Sequence, residues 1–196
     1  NGSSFDNATS RITTDLNGVT FGNNTFVAVG ESGKILRSTD NGSSFSTVSP
    51  YYGVNSYGVT FGNNTFVGVS NAGRTGRSTD NGTSFSYVYS NQSYHLNGVT
   101  FGNNTFVAVG ESGKIVRSTD DGSSWDNSTS GISSHLKGVT FGNNTFVAVG
   151  ESGSGEILRS TDNGATWNIR NSGISTHLNG VTFGNNTFVA VGSSGV

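Results

Sequence analysis

Side chains able to do acid–base or metal chemistry recur in this chain at a fixed interval. The octapeptide STDNGSSF (38–45) returns as STDNGTSF (78–85), STDDGSSW (118–125) and STDNGATW (160–167), so Asp40, Asp80, Asp120 and Asp162 hold one position of a repeat. Arg37, Arg77, Arg117 and Arg159 stand three residues before them, and Glu31, Glu111 and Glu151 share a further position. Asp15, Asn55, His95, His135 and His177 share another. Acid–base catalysis needs two groups brought together from different places. Groups that occur once per repeat are instead dealt out one to a unit, so the arginines cannot converge on one carboxylate. No Ser-His-Asp arrangement is specified by spacing, and no Gly-rich loop leads into a helix. No catalytic residue and no cofactor is assigned. A ring of imidazoles would suit a metal or an anion, but a polar residue closing each loop is the simpler reading, and no metal site is assigned.

The elements that must position these residues follow from the repeat itself. GVTFGNNTFV begins at Gly18, Gly58, Gly98, Gly138 and Gly180, at spacings of 40, 40, 40 and 42 residues. In the first unit GVTF (18–21) is a β-branched and aromatic run, and GNN is a tight turn whose asparagines tolerate left-handed backbone. TFVAVG (25–30) is a second strand, ESG (31–33) a turn, KILRS (34–38) a third strand, TDNG (39–42) a turn and SSFSTV (43–48) a fourth strand. No helical period survives. The pattern predicts an all-β fold: a five-bladed β-propeller of four-stranded antiparallel blades, forming a single domain over residues 1–196. Residues 1–17 are expected to complete the last blade, with 180–192 giving its inner strands and 2–9 its outermost one. The count leaves that blade six residues short, lacking the counterpart of ILRSTD (35–40). Residues outside this chain, or a strand donated by a neighbouring molecule, are expected to fill the slot.

The pattern Ser-x-Asp-x-Gly-x-x-Trp/Phe resembles the Asp box, or bacterial neuraminidase repeat, of sialidases and Ycf48-type propellers. The likeness covers four full copies and the truncated NGSSF at the start of the chain. It implies a structural role for Asp40, Gly42, Asp80, Gly82, Asp120, Gly122, Asp162 and Gly164, away from any catalytic centre. The local chemistry agrees: an Asp can accept the N–H groups of its own turn, and Gly permits positive φ. The arginine triad and tyrosine nucleophile of a sialidase would break the repeat symmetry, and they are not found here.

Charged residues are 11% of the chain, against roughly 25% on average, so Asn, Ser, Thr and Gly must supply the polar surface. A net charge of −2 leaves no basic footprint for nucleic acid, and no apolar run is long enough for membrane insertion. The absence of cysteine excludes disulfides and thiolate metal sites. The chain begins at Asn1 without methionine and reads as a mature or trimmed product. Asn-x-Ser/Thr sequons include Asn7, Asn23, Asn63, Asn91, Asn103, Asn127, Asn143 and Asn185, which are taken as glycosylation candidates. A secreted or cell-surface protein is expected. The linkers between units vary most, and with the ESG turns they build one face. Asp15, Asn55, His95, His135, His177, Tyr51, Tyr52 and Tyr94 are the candidate binding residues on it. The expected function is a non-enzymatic extracellular binding module for glycans or protein, multivalent for carbohydrate by analogy with five-bladed animal lectins. The alternatives are a surface or fibre protein that self-assembles by strand exchange and an engineered propeller without ligand.

Overall fold

The computed structural model describes residues 7–8, 10, 12–48, 53–91, 93–151 and 156–196. Its first sheet is β1 (Leu16–Gly22), β2 (Thr25–Gly30), β3 (Ile35–Ser38) and β4 (Ser46–Val48), paired in that order. The second is β5 (Ser56–Gly62), β6 (Thr65–Ser70), β7 (Arg74–Ser78) and β8 (Ser86–Tyr89). The third comprises β9 (Leu96–Gly102), β10 (Thr105–Gly110), β11 (Ile115–Ser118) and β12 (Asp126–Ser128). The fourth comprises β13 (Leu136–Gly142), β14 (Thr145–Gly150), β15 (Glu156–Ser160) and β16 (Asn168–Asn171). A fifth sheet holds β17 (Leu178–Gly184) and β18 (Thr187–Gly192). All neighbouring strands run antiparallel.

The hairpin turns form because Asn takes positive φ cheaply: Asn23 and Asn24 sit at φ 48° and 54°, as a two-residue turn of primed type demands. This sets the register that places Phe21 opposite Phe26, with their ring centroids 4.7 Å apart. Strand two of the three middle blades is buried on both sides because a neighbouring sheet covers each face. Every residue of β6, β10 and β14 is buried. The outer strands are shorter than expected: β4 begins at Ser46, because Ser43 and Ser44 are held in the acidic turn. The first strand begins earlier than expected, at Leu16, so Leu16 and Asn17 belong to the first blade rather than the last.

Consecutive blades meet at a glycine. A Cβ placed on Gly22 would lie 2.1 Å from Cγ of Phe61, and the same is true of Gly62 with Phe101, Gly102 with Phe141 and Gly142 with Phe183. The aromatic ring occupies the volume that any other side chain would need.

Among the described residues the two ends of this series are exposed. Leu16, Val19 and Phe21 are 43%, 63% and 51% exposed, whereas Leu96 and Leu136 are fully buried and Phe61 and Phe101 partly so. At the other end Val189 and Val191 are 53% and 56% exposed, although Val107 and Val109 at the same repeat positions are fully buried. A Cβ placed on Gly184 would meet no described residue within 4 Å beyond its chain neighbours. The outermost strand expected from residues 2–9 falls mostly outside the described residues, and Asn7 and Ala8 are not in a strand. The described residues of the last blade are thus its two inner strands.

Replacing Gly102 with alanine should cost about 1–3 kcal/mol through overpacking, read as a fall in the urea midpoint. Gly184→Ala, at the same repeat position with open space around it, should leave the midpoint of the dilute protein within about 0.5 kcal/mol of the parent. Equal losses at both glycines would contradict the packing described.

Candidate functional site

Each acidic turn is a closed hydrogen-bond cycle. In the third blade Ser118 Oγ donates to Asp120 Oδ1 at 2.8 Å and accepts the Gly122 N–H at 2.8 Å. Ser124 donates its N–H to Asp120 Oδ1 at 2.9 Å and its hydroxyl to Oδ2 at 2.6 Å. The same set recurs around Asp40, Asp80 and Asp162. Both carboxylate oxygens are therefore spent on their own turn. Donation from the Ser44 hydroxyl leads the influences that bring the Asp40 carboxyl down to about 2. At Asp80 and Asp162 partial desolvation is the largest influence and pushes upward. Donation from the hydroxyls and amides of Ser84 and Thr166, and from Ser78 and Ser160, outweighs it and brings both to about 2. Asp120 is lowered against the same opposing desolvation. Carboxylates held this far down are poor proton donors near neutrality.

The turn also grips the preceding blade, which a reading confined to one unit does not show. Arg37 Nε donates to Asn81 O at 2.8 Å, Arg77 Nε to Asp121 O at 2.6 Å and Arg117 Nη1 to Asn163 O at 3.2 Å. The turn glycines have positive φ, +77° at both Gly82 and Gly122, and leave no room for a Cβ. One on Gly82 would lie 2.9 Å from Val27 Cγ2, and one on Gly122 would lie 3.0 Å from Val67 Cγ2. The sequon asparagines of the hairpin turns join in: Asn63 Nδ2 donates to Asp121 Oδ1 and Asn103 Nδ2 to Asn163 Oδ1, both at 3.0 Å. Asn23 and Asn143 donate instead to hairpin asparagines of the next blade, Asn64 and Asn186. Asn7, Asn91, Asn127 and Asn185 are exposed. The sequence signal for this clamp was the invariant spacing of Arg to Asp.

At the opposite end of the blades lie the ESG turns, and there the histidines meet a neighbour rather than each other. The Ser32 N–H donates to Asn55 Oδ1 at 3.0 Å, the Ala72 N–H to His95 Nδ1 at 3.1 Å and the Ser112 N–H to His135 Nδ1 at 3.0 Å. Nδ1 is the acceptor, so each of these two imidazoles carries its proton on Nε2. Ser32, Ala72 and Ser112 have φ of 53°, 53° and 52°, which aims their N–H at the next blade. The backbone carbonyls of Asp15, Asn55, His95, His135 and His177 close the same loops by accepting the N–H of residues 31, 71, 111, 151 and 193. The side chains of Asp15 and His177, toward the two ends of the series, are exposed. No group of three metal-ligating side chains is found among the described residues.

Residues left over on this face are mixed in character. Tyr94 is 41% exposed, with Lys114 Nζ 5.2 Å from its ring centroid. Lys137 Nζ pairs with Glu151 Oε1 at 2.8 Å. Donation from Lys137 is the leading reason that the Glu151 carboxyl lies below its ordinary value; partial desolvation opposes it and the charge of Lys137 adds to it. A cleft of about 520 Å³ runs beside Lys114, Ile115, Asn127 and Ile132. A second, of about 540 Å³, lies along Arg74, Phe85, Tyr87 and Tyr89. Tyr51 and Tyr52, expected on this face, lie outside the described residues.

Two outcomes follow from this geometry. The four carboxyls titrate near 3.8 when free and near 2 in the turns where a value is resolved. The unfolded chain therefore takes up protons first as pH falls, and stability present above about pH 4 should be lost progressively toward pH 2. Urea midpoints should be flat between neutrality and pH 5 and fall below it, less steeply in an Asp80→Asn/Asp120→Asn double variant. At the other end of the blade His135→Asn should be nearly neutral, because Asn55 already makes that bond in the second blade. His135→Ala should cost about 0.5–1 kcal/mol, as read by thermal unfolding.

No protein-family model matches the chain, and no curated protein matches it. Solved structures do. Ycf48 bound to a D1 peptide superposes with a TM-score of 0.71 at 18% identity, over 90% of this chain and 59% of that one. Ycf48 from Cyanidioschyzon merolae gives 0.70 at 17% identity, over 93% and 65%. A chain of the nidogen/laminin complex gives 0.70 at 13% identity, over 91% and 72%. The chain thus spans less than two thirds of either Ycf48 chain. At such identities the likeness is one of fold, and the fold is a β-propeller of repeated four-stranded blades.

Proposed function

We propose that the chain is a non-enzymatic binding module whose partner is a protein or peptide segment, held on the face of the ESG turns and linkers. One observation carries this reading. The Asp side chains of the acidic turns and the arginines Arg37, Arg77 and Arg117 are spent within and between blades, whereas Tyr94, Lys114, Lys137 and Glu151 lie at the opposite end, on the face of the ESG turns and linkers. Tyr94 with Lys114, and Lys137 with Glu151, offer an aromatic surface and charges of both signs, which suits an extended amphipathic segment. The structurally similar Ycf48 is seen with a D1 peptide, and another similar structure is a nidogen/laminin complex. Both support a protein partner by analogy of fold.

On this reading the acidic turns are Asp boxes with a structural role, supported by the hydrogen-bond cycle around each Asp. The module works outside the cell as a secreted or surface protein. Support for that comes from the thiol-free, charge-poor composition and from sequon asparagines at exposed turns. A glycan is the second reading, favoured by Tyr89, which is 66% exposed beside the Arg74–Tyr87 cleft. Tyr94 suits a sugar less well, because Lys114 lies over its ring.

Peptides selected from a random display library against the immobilised protein should bind at least tenfold more weakly to Tyr94→Ala, Lys137→Ala double variants, with unfolding midpoints unchanged. Peptide binding that ignores both positions would remove the face assigned here. Binding on a glycan array that is lost in Tyr89→Ala would replace the peptide by a sugar.

A further inference from the structure

We propose that this chain assembles head to tail, the first blade of one copy seating on the fifth blade of the next through Phe21 and Gly184. The assignment rests on the junctions inside the chain and is independent of the binding face discussed above. Four times over, a glycine at the end of a first strand receives the phenylalanine of the following blade: Gly22 and Phe61, Gly62 and Phe101, Gly102 and Phe141, Gly142 and Phe183. Among the described residues one glycine and one phenylalanine are left over. A Cβ placed on Gly184 would meet nothing within 4 Å, and Phe21 is 51% exposed.

A second contact repeats this arithmetic. Val27, Val67 and Val107 press on Gly82, Gly122 and Gly164 of the next acidic turn, at 2.9, 3.0 and 2.8 Å from where a Cβ would stand. Of the members left over, Val147 is buried, Val189 is 53% exposed, and a Cβ on Gly42 would meet nothing closer than Phe26 at 3.9 Å. The two open faces are therefore the two halves of one interface whose internal copies are already seen, and the surface that matches the tail is the head of this same chain. Val19 at 63% exposure on the head and Val191 at 56% on the tail extend the apolar area beyond what scattered surface residues require. A contact between unlike faces is heterologous. It closes into a ring of copies or grows as a filament according to the rotation it imposes. The occupant is a whole blade face, which distinguishes it from the single donated strand expected from the sequence.

The test uses the intact chain and two variants at exposed positions, Phe21→Glu to disable the head and Gly184→Glu to disable the tail. In native mass spectrometry and light scattering the parent should show multiples of the 20.3 kDa chain. Each variant alone should lose assembly and run as a monomer. An equimolar mixture retains one intact head and one intact tail, so it should give a dimer of unlike chains and nothing larger. Val19→Lys and Val189→Lys form a second pair with the same expected behaviour, and circular dichroism with thermal unfolding checks that all four variants fold. A parent that stays monomeric at high concentration overturns the proposal, whether its faces meet within one chain or remain bare. So does assembly that survives both glutamates, or a mixture of folded variants that fails to pair.

Discussion

The contact on which this architecture depends is a phenylalanine ring seated on a glycine. It sets the distance between successive blades, because the ring occupies the space where a Cβ would stand, 2.1 Å away. Full burial of a phenylalanine contributes about 1.5–3 kcal/mol and these half-buried rings a part of it, and the paired phenylalanines of each hairpin, with centroids 4.6–4.7 Å apart, hold the ring at the correct height. The remaining core follows from this spacing. Once two sheets are that close, their second strands are covered on both sides and must be apolar throughout.

Polar groups then serve the same junction from both ends of the blade. At one end the acidic turn satisfies its own amides through Asp and Ser, which frees its carbonyls to receive the arginine of the blade before. At the other end an imidazole or carboxamide accepts an N–H of the preceding turn. Neither arrangement needs a formal charge pair, which explains how a chain with 11% charged residues builds well-defined contacts. Lys137 and Glu151 form an ion pair among the described residues, and it lies outside this scheme.

Much of this was legible in the sequence. The four strands per unit, the asparagine turns and the self-contained acidic turn could be read because period-two patterning and turn chemistry act within about 40 residues. The partners of Arg37 and His95 could not, since a repeat shows which position a residue holds but not which neighbour it faces. Glycines 22 and 82 read as turn and strand-end residues, while their closer constraint comes from side chains 39 and 55 positions away, on Phe61 and Val27. The exposed faces of the first and last blades also escaped the sequence. Counting units gives their number, but curvature is a property of the junction, and no residue spells it.

Every junction is written with the same residues, so the chain behaves as a nearest-neighbour array along an arc. A unit duplicated in register arrives with a glycine for the blade after it and a phenylalanine for the blade before. Deleting a unit leaves an equally well matched pair. Lengthening or shortening by whole blades is therefore a small evolutionary step for such a sequence, because the gene specifies how each blade meets the next while leaving the number of blades free to drift.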